Sequence, residues 1–173
     1  MFKFSNIALI GSGAALALAA ASVPAYAQNQ KISNDMSKCA GSAGPAVLVE
    51  VYGFKETKGR VRVQAYESTS GKWLKKGTWI NRIDVPVNAS NGKMRFCVPL
   101  PKAGTYGIAV RHDMDGNGKS GWNDGGGFSG NPDISLTNLK PSASKTALRV
   151  GNEVVRTKVV LNYRSGLSIE PID

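Results

Sequence analysis

Acidic and amide side chains recur at short intervals in the stretch HDMDGNGKSGWND, residues 112–124, of a chain whose formal net charge is +10. Counted from Asp113 as position 1, they match a twelve-residue calcium loop, with side-chain oxygens at positions 1, 3, 5 and 12, glycine at position 6 and a backbone carbonyl at position 7. The predicted calcium ligands are Asp113, Asp115, Asn117, the carbonyl of Lys119, and Asp124. Calcium binds hard oxygen atoms and would offset the repulsion among the carboxylates.

Two features of this loop predict weak binding. Position 12 is Asp124 rather than the longer glutamate, and the flanking residues have no helical pattern. We therefore expect a structural site of the extracellular type, with a Kd on the order of 10⁻⁴ to 10⁻³ M. The alternative is an Asx-rich polar turn that holds no metal.

The residues around the loop offer further candidates for a ligand surface, namely His112, Trp122, Phe128 and Ser129. His112 is the only histidine, so a zinc site of the usual kind is not expected and a structural role is favoured. Ser129 lies in GFSGN, which lacks the spacing of a nucleophile elbow. No catalytic residue is predicted.

The first 27 residues predict the compartment. Lys3 is followed by an apolar run that ends in the small-residue sequence AYA, which is typical of a secretory signal peptide cleaved after Ala27. An N-terminal membrane anchor is the alternative. No later segment is long and apolar enough to span a membrane. We expect a periplasmic or secreted protein.

Export has consequences for the cysteines and for the positive charge. Cys39 and Cys97 are the only cysteines, and in an exported chain they are expected to form a disulfide. Nucleic acid is not an expected partner there. Anionic envelope polymers or lipid head groups are candidate partners, although the cations are scattered, which favours a role in solubility.

Alternating apolar and polar residues predict an all-β fold. The predicted strands are 46–54, 60–68, 78–88, 93–100, 105–112, 145–150 and 153–163. The first two are expected to pair as a hairpin, and 113–141 is expected to be a loop with a flexible GGG run. About seven strands favour a single antiparallel β-sandwich, Ig-like or transthyretin-like, with a barrel as the alternative.

The predicted organisation has four parts. They are a signal peptide (1–27), an extended leader (28–44), a β-sandwich domain (45–165) and a surface tail (166–173).

The stretch 100–131 resembles a bacterial exported family known as domain of unknown function 2141. The residues that carry the resemblance are Leu100, Pro101, Gly104, Tyr106, His112, Asp113, Asp115, Asn117, Gly118, Lys119, Gly127, Phe128, Ser129 and Asn131. The resemblance implies a small envelope β-sandwich with no known activity. Ser120 and Gly121 replace a Leu-Asp pair of the family, and a Pro-x-Glu-Gly segment is missing, so either Asp124 replaces that glutamate or the site is degenerate.

Three functional hypotheses follow. The first is a non-enzymatic exported β-sandwich whose calcium-ordered loop presents a binding surface, with Trp122 and Phe128, to an envelope component or another protein. The second is a carbohydrate-binding module that uses the tryptophans, and it requires at least two of them to be exposed on one face. The third is a hydrolase centred on His112, Asp113 and Ser129, which requires these side chains to converge.

Overall fold

The computed structural model describes residues 28–41 and 43–172. The predicted signal peptide lies outside the described residues. The strands are β1 (Gln30–Lys31), β2 (Ala46–Tyr52), β3 (Arg60–Glu67), β4 (Trp79–Pro86), β5 (Lys93–Pro99), β6 (Gly104–Asp113), β7 (Gly125–Phe128), β8 (Ala147–Val150), β9 (Val154–Val160), β10 (Asn162–Ser165) and β11 (Ser168–Pro171). Two short 3-10 helices span Met36–Cys39 and Ala143–Thr146. In this part of the chain, no helix has the length and hydropathy needed to cross a bilayer.

The strands form two packed sheets. The larger sheet has the order β1-β4-β3-β6-β7-β10-β11, and β8 pairs with β6 beside β7. The smaller sheet has the order β5-β2-β9. Most pairs are antiparallel, while β1 with β4 and β2 with β9 are parallel. The predicted all-β sandwich is confirmed, and the sheets do not close into a barrel.

The core lies between the two sheets because alternate residues of each strand are apolar and point inward. Its buried side chains include Val47, Val49, Val51, Val61, Val63, Ile83, Phe96, Val98, Ile108, Val110 and Leu161. Full burial of each such side chain contributes about 1.5–3 kcal/mol, so the shared core stabilises the sandwich. Residues of opposite parity, such as Gln64 and Ala109, lie on the outer face of the larger sheet.

The predicted hairpin between β2 and β3 is wrong. β2 is the central strand of the smaller sheet, between β5 and β9, whereas β3 lies between β4 and β6 in the larger one. The chain crosses between sheets at Gly53 and Gly59, whose φ angles are 75° and 74°. Alternation of apolar residues identifies the inward face of a strand, but it does not identify the neighbouring strand.

The single strand predicted for residues 153–163 is two strands in different sheets. β9 pairs with β2 in the smaller sheet, and β10 pairs with β7 and β11 in the larger one. Leu161 is the connecting residue, is fully buried, and donates its N–H to the Tyr52 carbonyl oxygen at 2.9 Å. The apolar alternation runs through this change of sheet, so the sequence pattern does not reveal it.

The GGG run predicted as a flexible loop belongs to strand β7. A Cβ on Gly125 would lie 2.4 Å from the Tyr163 ring, and one on Gly127 would lie 2.5 Å from the Val160 carbonyl oxygen. Glycine is therefore required by the close approach of neighbouring chain segments. The prediction failed because a run of glycines carries no side-chain pattern.

The ends of the described chain both pair with the larger sheet. The leader provides β1, and the tail provides β11, which forms a hairpin with β10. Cys39 and Cys97 are joined, with an S–S distance of 2.02 Å. The predicted disulfide is confirmed, and it connects the leader to the outer side of β5.

Candidate functional site

The aspartate loop, residues 113–124, connects β6 to β7. Asp113 is the last residue of β6, and Asp124 immediately precedes β7. His112 is paired with Gly125 across the two antiparallel strands. The strand pairing therefore places positions 1 and 12 of the loop side by side, the task that two helices perform in an EF-hand.

Three carboxylates meet within this loop. One oxygen from each of Asp113, Asp115 and Asp124 lies within 4.8 Å of the others. Asp115 is exposed, Asp124 is half-buried, and Asp113 is only 2% exposed. Among the described residues, the Oδ1 atom of Asp113 is buried and has no hydrogen-bond partner. A buried carboxylate oxygen without a donor is costly unless a cation binds it.

The other oxygen of Asp113 is held by two donors. Its Oδ2 atom accepts hydrogen bonds from Arg111 Nη2 at 3.0 Å and from the Gly118 N–H at 2.8 Å. Gly118 has φ +79°, which is the glycine conformation expected at position 6 of the loop. The backbone thus turns around the Asp113 carboxylate.

The remaining loop side chains bond to nearby backbone N–H groups. Asp124 accepts from Met114 at 3.0 Å and from Gly121 at 2.8 Å, which closes the loop. Asp115 accepts from the backbone of Asn117, and this hydrogen bond is the main cause that lowers the pKa of the Asp115 carboxyl.

Asn117 Oδ1 in turn accepts from the Lys119 N–H at 2.7 Å. These are the hydrogen bonds of Asx turns, as the metal-free alternative expects. Coordination through Asn117 and the Lys119 carbonyl stays a prediction.

His112 is fully buried below the loop. Its Nε2 atom lies 2.8 Å from the Lys58 carbonyl oxygen, which can only accept, so Nε2 carries the proton. Nδ1 therefore accepts from the Tyr163 hydroxyl at 2.6 Å, and that hydroxyl accepts from the Lys55 N–H at 3.2 Å. Burial raises the pKa of Tyr163 to about 12. This network ties β6 to β10 and to the β2–β3 connection.

Ser129 has a separate structural position. It is fully buried, accepts a hydrogen bond from the Ile108 N–H at 3.0 Å and donates to the Thr146 carbonyl oxygen. Ile108 is four residues from His112 along β6, or about 13 Å in an extended strand. Both ring nitrogens of His112 already have partners. The structure does not bring Ser129 to His112, and the geometry gives no support to the hydrolase hypothesis.

The tryptophans do not share an exposed face. Trp73 and Trp79 are buried in a small second cluster, whereas Trp122 is 73% exposed. The Arg164 guanidinium lies 3.6 Å from the centroid of a Trp122 ring, a cation–π contact. The carbohydrate hypothesis required two exposed tryptophans on one face, and this requirement is not met.

A cavity of about 570 Å³ lies on the outer face of the larger sheet, next to the aspartate loop. The loop forms one wall through Ser120, Gly121, Trp122 and Asp124. Apolar lining residues are Leu74, Phe128, Ile134, Leu136, Leu139 and Ile169, and cationic ones are Arg111, Lys140 and Arg164.

The structure brings Trp122 and Phe128 of the predicted ligand surface to this cavity, while His112 and Ser129 are buried elsewhere. Sequence reasoning missed Arg111, Arg164, Leu136 and Leu139. The only available signal was a pair of leucines in a polar loop, at 136 and 139, and it indicates no particular partner.

Comparison with known proteins gives one match. Residues 49–158 match the family model described as "Uncharacterized protein conserved in bacteria (DUF2141)". The chain belongs to the DUF2141 family. The DUF2141 match begins in β2, ends in β9 and includes the whole aspartate loop. The family match confirms the resemblance predicted from residues 100–131. No curated protein matches the chain, and no solved structure matches it.

Proposed function

We propose that this protein is an exported, non-enzymatic binding protein in which calcium held by the aspartate loop orders a ligand surface. The observation that carries the proposal is the buried Asp113 carboxylate. One of its oxygens has no hydrogen-bond partner among the described residues, and Asp115 and Asp124 each bring an oxygen within 4.8 Å of an oxygen of Asp113. A polar turn alone gives no reason to bury a carboxylate oxygen without a donor.

The donor set favours calcium over other metals. The candidate ligands are carboxylate, amide and carbonyl oxygens, which are hard ligands suited to calcium. The single histidine is already bonded to Tyr163 and Lys58, and both cysteines are in the disulfide. Nitrogen and thiolate ligands for zinc are therefore not offered by this part of the chain.

The position of the loop links the metal to the binding surface. Asp124 belongs both to the carboxylate cluster and to the cavity wall, and Trp122 lies two residues before it. Calcium binding would restrain the loop from both ends and hold Trp122 against Arg164. The expected partner is an envelope component or another protein, in keeping with the predicted export. The disulfide supports export because such bonds persist mainly in oxidising compartments.

Calcium titration by calorimetry, with thermal denaturation in calcium and in chelator, tests this proposal. The purified, disulfide-bonded protein is expected to bind one calcium ion with a Kd on the order of 10⁻⁴ to 10⁻³ M. Calcium at about 100 times Kd should stabilise the folded state by about 2.7 kcal/mol. Asp113→Asn and Asp115→Asn should remove both effects.

Asp133→Asn is the matched control, since Asp133 is exposed and outside the loop. It should bind calcium as the wild type does. Asp115 is also exposed, so its variant tests the ligand role even if Asp113→Asn lowers the stability of the protein. Equal melting temperatures in calcium and chelator, with no heat of binding at millimolar calcium, would refute the calcium proposal.

A further inference from the structure

The cavity beside the aspartate loop gathers much of the exposed apolar surface of the described residues. Trp122, Leu136 and Leu139 all line it, with exposed fractions of 73%, 36% and 52%. Leu74 and Phe128 extend the apolar lining toward the sheet. Clustered apolar side chains that remain exposed around a concavity are typical of ligand sites. A volume of about 570 Å³ suits one small molecule.

One end of the cavity borders a cationic part of the larger sheet. Arg111 lines the cavity itself, whereas Arg62 and Arg82 lie beside its lining residues. On the outer face of the larger sheet, Arg111 is paired directly with Arg62, and Arg82 is paired with Gln64, which lines the cavity. We call Arg62, Arg82 and Arg111 the arginine cluster. Directly paired like charges repel each other unless an anion lies between them.

The carboxylates of this face only partly neutralise the arginine cluster. Asp84 pairs with Arg62 at 2.8 Å and also with Arg60, and Asp113 pairs with Arg111 at 3.0 Å. Among the described residues Arg82 has no ion pair, and its guanidinium lies over the Trp79 ring.

The Nε atoms of Arg82 and Arg111 are both buried without a hydrogen-bond partner in the described part of the chain. Burial lowers the pKa of Arg82, and the positive charges of Arg62 and Arg111 lower it further, while Tyr66 and Asp84 act in the opposite direction. Asp84 makes its ion pairs with Arg60 and Arg62, so the positive charge of Arg82 is only partly compensated.

We propose that the cavity binds a single-chain fatty carboxylate, with its acyl chain against Leu74, Phe128, Leu136 and Leu139 and its carboxylate at the arginine cluster. This assignment rests on the proposed function, because the aspartate loop forms one wall of the cavity. A planar carboxylate can accept two parallel hydrogen bonds from one guanidinium, which gives both charge and orientation. The apolar walls supply the hydrophobic contribution.

The same features disfavour other ligand classes. A neutral amphiphile would bring no further anion to the arginine cluster, and an anionic polysaccharide would leave the leucines in contact with water.

Calcium bound in the aspartate loop would also be coordinated by the Asp113 carboxylate. Its Oδ2 atom now accepts from Arg111. A divalent ion competes with Arg111 for Asp113 and so makes the Arg111 guanidinium available to the carboxylate of a ligand. Calcium and the fatty carboxylate are therefore expected to bind cooperatively.

The test measures binding of a micromolar dansyl-labelled undecanoate probe to the purified protein by fluorescence. Dodecanoate should displace the probe. Arg82→Gln and Arg111→Gln should each weaken binding at least tenfold, and Leu139→Asp should do the same by placing a charge in the acyl site. Dodecyl maltoside, which is neutral, should compete at least tenfold less well than dodecanoate.

Two exposed residues outside the cavity provide matched controls. Leu167→Asp and Arg149→Gln make the same chemical changes on the β10–β11 turn and on β8, so probe binding should be unchanged. The ligand assignment would be overturned by no probe binding, by equal competition from the maltoside, or by stronger competition from dodecyl phosphate.

Performing the titration in calcium and in chelator separates the two proposals. Calcium binding without probe binding overturns the ligand assignment alone. Probe binding that depends on Arg82 in a protein that binds no calcium supports the ligand assignment and refutes the calcium proposal.

Discussion

Asp113 combines two roles at the end of β6. Its Oδ2 atom organises the loop through Gly118 and Arg111, while its Oδ1 atom has no donor among the described residues. Arg111 compensates part of the buried charge, and the Oδ1 atom is the position at which the proposed calcium ion would bind. The adjacent His112 contributes differently, as a buried part of the core whose two ring nitrogens both have hydrogen-bond partners.

The Tyr163 hydroxyl is predicted to contribute to folding stability through His112. Tyr163→Phe removes the donor to His112 Nδ1 and the acceptor for the Lys55 N–H. Leaving these buried groups unpaired should lower the free energy of unfolding by about 1–3 kcal/mol, measured by urea denaturation.

Tyr52→Phe is the control for this prediction. Tyr52 is half-buried, and its hydroxyl makes no hydrogen bond to a described residue. This variant should unfold at nearly the wild-type urea concentration. An equal loss of stability in both variants would contradict the assigned role of Tyr163.

Some residues of the candidate site could be identified from the sequence and others could not. The spacing of Asp113, Asp115 and Asp124 indicated a loop with clustered carboxylates, although the pairing of β6 with β7 that brings Asp124 beside Asp113 was not predicted. Tyr163 and Arg111 could not be found in this way. Their partners lie on strands that are distant in sequence, and sequence alternation does not specify which strands pair.

Strand β7 shows how an element without side chains can position a site. Its glycines allow the close approach of β10 at Gly125 and of β9 at Gly127, and its pairing with β6 brings the two ends of the aspartate loop together. The same lack of side chains explains why the sequence indicates a flexible loop at residues 125–127. Similarly, the failed β2–β3 hairpin and the divided strand at Leu161 reflect sheet membership, which depends on long-range packing.

Alanine substitutions at adjacent positions of β7 should differ in their effect on the stability of the protein. Gly125→Ala and Gly127→Ala place a methyl group against Tyr163 and against Val160, at 2.4 and 2.5 Å respectively. Each should lower stability by about 1–3 kcal/mol through overpacking.

Gly126→Ala is the internal control, because its Cβ would meet only the Val110 carbonyl oxygen at 4.0 Å. Thermal denaturation of the three variants measures the difference. If Gly126→Ala were as unstable as its neighbours, the close approach of β9 and β10 to β7 would be wrong.

At the scale of the whole molecule, the two sheets are held together by the core and by the disulfide between the leader and β5. The larger sheet carries both candidate sites, namely the aspartate loop at one end of β6 and the cavity beside it on the outer face. The all-β class and the disulfide were predictable because they depend on periodicity and on cysteine number. The cavity was not, since it is formed by loops that the sheet brings together.

Loss of the Cys39–Cys97 disulfide should destabilise the whole fold. The bridge connects residues 58 positions apart, for which the chain-entropy model gives a stabilisation of about 4 kcal/mol. A double Cys→Ser variant should therefore unfold at clearly lower guanidinium chloride concentration than the oxidised wild type. Coincident denaturation curves would show that the disulfide adds nothing to stability.

The most direct test of the calcium loop is a titration followed by residue-resolved NMR of backbone amides. With calcium, the amide signals of Gly116, Gly118 and Gly121 should shift together along one saturable curve, with a Kd on the order of 10⁻⁴ to 10⁻³ M. The signal of Gly151, in the exposed β8–β9 connection, should stay in place. Small shifts spread over the surface that grow linearly with salt, without saturation in the loop, would contradict a calcium site at Asp113.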